Sequence, residues 1–389
     1  MYSLFRNRQR ASTCWAAIAM FILALGPALA PQSLARPNVG VEFDADVFVS
    51  DNPFLLPGED TGAAAADVAA RPYLDWDLDP RTRVEFTGEV GFRQYSRRYG
   101  NFVTGFADLQ VRHRRNEHLT VGAQATFDRS LVSDPLNDSL DFAFDSRGVH
   151  ESTEVRPTVT WNPNSRVAVN ADAGWRKMRY PGSILLRPID AYDAGIGVSR
   201  RMSAATSLGA QARITSTRSD EGGDTSVKSF GLVATRRFSE HWYGDVQVGV
   251  EWTNMDDPIG PDDDNRAQFN GGFSLCHEPR RTVICVTGSI RNEVSGFGGL
   301  QREKTLGATL SRRVSERGTL TGEFDGREAN LPGFANPASI LRASGGYEHR
   351  LDRNIYLTSN ATYLQRKLLG QRVDAVIFQV GLSIRGART

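Results

Sequence analysis

From residue 36 onward, stretches of about ten residues alternate apolar with polar side chains, and no window forms a continuous apolar span. A period of two belongs to a strand with two different faces, whereas a helix crossing lipid needs roughly 20 consecutive apolar residues. The first stretch is typical: Val39, Val41, Phe43, Ala45, Val47 and Val49 interleave with Gly40, Glu42, Asp44, Asp46, Phe48 and Ser50. The same reading predicts strands near 68–78, 83–93, 103–113, 118–128, 152–161, 166–176, 192–201, 206–216, 226–236, 242–253, 266–276, 282–291, 303–312, 319–327, 340–349, 354–363 and 374–384. Eighteen strands result, or sixteen if the less regular stretches 226–236 and 319–327 are not strands.

Every second connection is a short polar turn, such as Asp79-Pro80-Arg81-Thr82, Asn162-Pro163-Asn164-Ser165 and Leu351-Asp352-Arg353-Asn354, and the others are longer. An even strand number with this rhythm predicts an all-β chain forming a single transmembrane antiparallel up-and-down β-barrel, with short periplasmic turns and longer extracellular loops. A bilayer leaves no water for unpaired backbone groups, so a sheet crosses it only when closed. Five tryptophans fall at strand ends in outward register: Trp76, Trp161 and Trp242 beside short turns, Trp175 and Trp252 beside long loops. They fit aromatic girdles at the two water–lipid interfaces.

Residues 1–35 carry Arg6, Arg8 and Arg10, an apolar stretch from Trp15 to Leu25, and small residues before Ala35. This is the layout of a cleaved signal peptide, which leaves 36–389 as the barrel and predicts the outer membrane as its location. The 46 Lys+Arg balance 45 Asp+Glu, so no basic excess draws the chain to nucleic acid. No Gly-x-Ser-x-Gly, His-Glu-x-x-His or phosphate-loop motif occurs, and neither an enzyme nor a cofactor is expected.

Cys276 and Cys285 flank a short turn and share the inward register, since Phe273, Leu275, Ile284 and Val286 face the other way. Residues opposite each other in a hairpin share a face, and an oxidising periplasm favours a disulfide over two free buried thiols. A metal site would lack ligands beyond these two and His277. The segment Leu275-Cys276-His277-Glu278-Pro279-Arg280-Arg281-Thr282-Val283-Ile284-Cys285, followed by Ser295-Gly296-Phe297-Gly298-Gly299, resembles a family of outer-membrane β-barrel porins of Gram-negative bacteria. Some of that family accompany exopolysaccharide synthesis and export genes, so the resemblance implies a barrel in the outer membrane and, as one role, an accessory or conduit in polysaccharide export.

Inward positions include Arg83, Glu85, Glu89, Arg93, Asp108, Arg112, Arg156, Asp172, Arg176, Glu251, Glu323, Asp325, Arg327, Arg342 and Glu348, so both signs are expected to line the lumen. A barrel this wide can hold water, which makes passive diffusion of small polar solutes or saccharides the expected function; a salt-bridged lumen that closes the pore is the alternative. Asp134, Asp138, Asp141 and Asp145 lie on the longest connection, 129–151, and are candidates for a loop that folds inward as a constriction. Inward aromatics such as Phe48, Tyr73, Tyr95, Phe106, Tyr243 and Tyr356 are either a stacking track for sugars or space-filling groups. Expected partners are outer-membrane lipid and lipopolysaccharide, the barrel-assembly machinery and polysaccharide export proteins; a homo-oligomer packed through lipid-facing surfaces is left open.

Overall fold

The computed structural model describes residues 37–58, 61–97, 99–132, 148–183, 185–219, 223–256, 267–296, 299–330 and 337–386. Residues 1–36, with Cys14, lie outside the described residues. Among those described, alternation produces eighteen strands: β1 (Asn38–Ser50), β2 (Ala63–Asp79), β3 (Thr82–Tyr95), β4 (Asn101–Arg114), β5 (Leu119–Leu131), β6 (Val149–Asn164), β7 (Val167–Arg179), β8 (Ile189–Arg201), β9 (Thr206–Ser219), β10 (Gly223–Arg237), β11 (Trp242–Asp256), β12 (Ala267–His277), β13 (Thr282–Ser295), β14 (Gly299–Arg313), β15 (Gly318–Ala329), β16 (Ala338–Arg350), β17 (Ile355–Leu368) and β18 (Gln371–Ile384). Both less regular stretches, now β10 and β15, are strands.

Each strand pairs antiparallel with its sequence neighbours, and β1 meets β18 from Phe43↔Ile384 to Ser50↔Ile377, which closes the sheet. Closure satisfies the backbone within the wall and leaves side chains to divide between two faces. The outer face carries Val39, Phe43, Ile196, Leu232, Phe269 and Phe378, all exposed, where lipid replaces a protein core. The strands run from 11 residues in β12 to 17 in β2, at or beyond the 9 to 11 needed to cross the hydrocarbon.

The rhythm of connections is less strict than expected. The β9–β10, β13–β14 and β17–β18 connections, on the side assigned to long loops, span only 220–222, 296–298 and 369–370. Here the strands run on past the bilayer and consume the predicted loops. Leu369 (φ 52°) and Gly370 (φ 80°) are both left-handed, the backbone that a two-residue type I′ hairpin demands.

The buried apolar core sits inside the barrel at its extracellular end. Leu55, Val132, Met178, Tyr180, Leu186, Ile189, Ala329, Ala338, Ile340, Leu364 and Ala375 form one cluster. Phe48, Phe54, Ala63, Ala65, Tyr95 and Leu131 form a second, and Ile377 packs against both. The β1–β2 and β7–β8 connections thus fold inward, and the lumen-facing ends of β15–β18 are apolar to receive them.

Candidate functional site

Below this cap the lumen is polar, and its charges are paired across strands. Register places all fifteen charged residues named above on the lumen face. In β1–β3, Arg71 binds Asp44 and Glu89, both at 2.6 Å, and Arg93 binds Asp67 at 2.7 Å. Nearer the periplasm, Arg83 binds Asp75 and Glu85 at 2.7 Å. Asp108 accepts from Gln110, Gln124 and Thr126, and Arg112 is exposed close to the short-turn end of β4.

The densest network spans β6–β9. Arg156 reaches Glu154 (3.0 Å), Asp172 (2.6 Å) and Asp193 (2.8 Å), Arg176 reaches Glu154 (2.6 Å), and Arg213 binds both Asp172 and Asp193. Asp193 and Arg213 follow the same alternation as their partners, so parity was the signal that could have included them among the expected lumen residues. On the far wall Arg327 meets Asp325 (2.8 Å) and Glu303 (3.6 Å), Arg342 meets Glu323 (3.4 Å), and Arg385 meets Glu348.

Narrowing comes from the β13–β14 hairpin. The β12–β13 ladder stops at Gly271↔Ile290, while β13 and β14 stay paired up to Ser295↔Gly299. Beyond the split, Asn292 Nδ2 donates to Glu251 Oε2 at 2.7 Å, and Arg302 donates to Gln268 Oε1 at 2.7 Å and to the Phe269 carbonyl. By parity Asn292 and Arg302 sit on the lipid side of their strands, like Ile290 and Leu306, whereas Glu251 points into the lumen from β11. The upper hairpin has therefore left the wall and lies across the inner face of β11 and β12. Its tip meets the β7–β8 connection, where the Arg187 N–H donates to the Gly296 carbonyl at 2.9 Å and a Cβ on Gly296 would stand 2.5 Å from the Tyr180 ring.

On the lumen side of the hairpin, between it and β6–β7, lies a cavity of about 430 Å³, lined among others by His150, Arg176, Arg291, Glu293, Glu303 and Arg327. Arg291 and Glu293 on the hairpin pair with each other, and His150 Nδ1 lies 3.3 Å from Asp128. Glu251 is buried rather than lumen-exposed, held by Asn270 and Asn292. Asp134, Asp138, Asp141 and Asp145 lie outside the described residues. Phe48 and Tyr95 pack edge to face (5.7 Å between ring centroids) with Phe54, Tyr99 and Phe102 around them, filling space at the mouth.

Trp161, Trp242 and Trp76 stand at the short-turn ends in outward register, opposite Leu119, His277 and Val84. Trp175 and Trp252 stand at the other end, opposite Tyr192 and Lys228. Cys276 and Cys285 are directly paired in the ladder and joined by a disulfide. The apolar outer band, the aromatic ends and the polar interior together describe an integral outer-membrane protein.

No family model and no curated protein matches the chain. Solved structures match it along almost its whole length. OccAB4 of Acinetobacter baumannii aligns with a TM-score of 0.51 at 7% identity, covering 91% of this chain and 99% of that one. OpdQ of Pseudomonas aeruginosa aligns at 0.50 and 10% identity, covering 90% and 98%. OccK2 (OpdF) of the same organism, in complex with glucuronate, aligns at 0.50 and 8% identity, covering 89% and 98%. The fold is that of an outer-membrane porin. At these identities the likeness is one of fold.

Proposed function

We propose that this chain is a diffusion channel for small polar solutes or saccharides, with a charged, hydrated lumen and a size limit set by the inward-folded β13–β14 hairpin. The observation that carries this reading is the exposure of the lumen charges. The side chains of Arg71, Arg83 and Arg213 keep 44%, 48% and 41% of their accessible surface although they point into the barrel. Ions that exposed face lumen water, and a solute can exchange with that water at little cost. Charges of both signs offer hydrogen bonds to hydroxyl and carboxylate groups without a single deep trap, which lets a solute enter and leave.

A second reading, a barrel closed for a structural role, draws on the apolar cluster at the mouth and on the pairing of lumen charges. A role in exopolysaccharide export rests on the sequence resemblance, and the inward-folded mouth lends a polymer path no support.

Single-channel conductance of the refolded protein in a planar bilayer separates these readings. Steady openings, blocked by added neutral oligosaccharides or uronic-acid oligomers, are the expected result. Barrels that show heat-dependent gel migration yet never conduct would sink the channel and leave the closed barrel.

A further inference from the structure

The eight short turns, with the last two residues of the strand entering each, contain fifteen arginines against six carboxylates. The chain as a whole is balanced at 46 basic to 45 acidic side chains, so this excess is local. Its placement is regular. Arg114, Arg201, Arg237, Arg313 and Arg350 end β4, β8, β10, β14 and β16. The backbone N–H of each donates to a carbonyl of the neighbouring turn, that of Arg81, Arg166, Ala205, Arg281 and Arg317 respectively, over 2.7–2.8 Å.

Register puts all five on the lumen face, opposite Thr120, Ser207, Tyr243, Thr319 and Tyr356. All five are exposed. Deeper arginines such as Arg83, Arg156 and Arg327 are held by carboxylates. The five at the mouth have no ion-pair partner among the described residues. Arg385 occupies the corresponding position after β18, but it binds Glu348 and lies over the Tyr356 ring.

Five unneutralised guanidinium groups around one opening raise the local concentration of anions. Each is a planar fork suited to a carboxylate or phosphate. Positions two strands apart are separated by about 10 Å, so a monoanion engages one fork and a ligand with several anionic groups engages more than one. We propose that the periplasmic mouth is a binding site for multivalent anions, polycarboxylates or oligophosphates, formed by Arg114, Arg201, Arg237, Arg313 and Arg350. The site adds to the channel reading and stands whether or not the lumen conducts.

The test is calorimetric titration of the refolded full barrel with tripolyphosphate and with citrate at low salt. Both probes bind the wild-type protein, more weakly at high salt because exposed charges are screened. The variant with all five arginines changed to Gln binds at least about tenfold more weakly. The control Arg200→Gln/Arg236→Gln/Arg312→Gln removes three charges from the lipid-facing side of the same strand ends and keeps wild-type affinity. Should the fivefold variant fail to show heat-dependent migration, Arg237→Gln/Arg313→Gln takes its place, with a smaller loss expected. The proposal is overturned if the wild type binds neither probe, if the mouth variants bind as tightly as wild type, or if the lipid-facing control loses as much.

Discussion

Asn292 donates a 2.7 Å hydrogen bond to the buried carboxylate of Glu251, two strands away, and thereby ties the β13–β14 hairpin to a wall with which it no longer pairs. Thr253 accepts a weaker bond from the same amide, and Arg302 fastens the other strand of the hairpin to β12. The latch is polar and small, while the hairpin it holds narrows the lumen. Asn292→Ala with Arg302→Ala should let the hairpin move, and single-channel conductance should rise. The change also strips a buried carboxylate of one partner, costing about 1–3 kcal/mol, which urea titration can read. An unchanged conductance in a correctly folded variant would mean that the hairpin does not limit flow.

Gly296 tests the same hairpin from its tip. A side chain there meets the Tyr180 ring, part of the packed cluster at the mouth. Gly296→Val is therefore expected to push the tip off the β7–β8 connection and raise conductance in the same direction as loss of the latch. Adding Tyr180→Ala removes the obstacle and should return the Gly296→Val channel toward wild-type conductance.

The Cys276–Cys285 bond closes a loop of sequence separation 9 at the periplasmic end of β12 and β13, at the opposite end of their ladder from the point where the two strands part. In the chain-entropy account a loop of this size contributes about 2.5 kcal/mol. Reduction, or the double change to Ser, should lower the unfolding free energy obtained from urea titration by that amount and move the midpoint down accordingly. Mass measurement with and without reductant establishes that the bond is present before the comparison is made.

Leu369 occupies a left-handed position in a two-residue hairpin and is exposed. A branched side chain there costs roughly 1–2 kcal/mol relative to a residue that tolerates this backbone. Leu369→Asn creates the Asn-Gly pair favoured in type I′ turns and should raise stability by about 1 kcal/mol. Calorimetry of the two proteins decides it, and a loss of stability would show that Leu369 contributes packing of its own.

The wall was legible in the sequence because parity is a local property. The alternation from Val39 to Val49 fixes which face of β1 meets lipid, and pairing then carries that assignment around the barrel to Ile384. The cysteine hairpin was readable for the same reason. The hairpin fold was not, since it depends on where a ladder stops, a relation between strands rather than within one. Its trace was nonetheless present: Asn292 and Arg302 place polar groups at outward positions next to Ile290 and Leu306. The apolar mouth also escaped, because Ile340, Leu364 and Ile377 break the rule that lumen positions are polar. Those departures mark the places where loops turn inward.

The mouth core has a consequence for the order in which the molecule is made. Leu55 and Ala375 belong to one cluster although they come from opposite ends of the chain, and Leu55 joins Leu364 and Ala375 in that cluster only when β18 has zipped onto β1. The chain must cross the membrane and seal its cylinder before it can cork the top, because such distant contacts are the last to repay the entropy of joining them. Burial of Leu55 is thus a certificate of completed assembly, and a protease applied from outside should find the β1–β2 connection more open in an unfinished barrel than in a finished one.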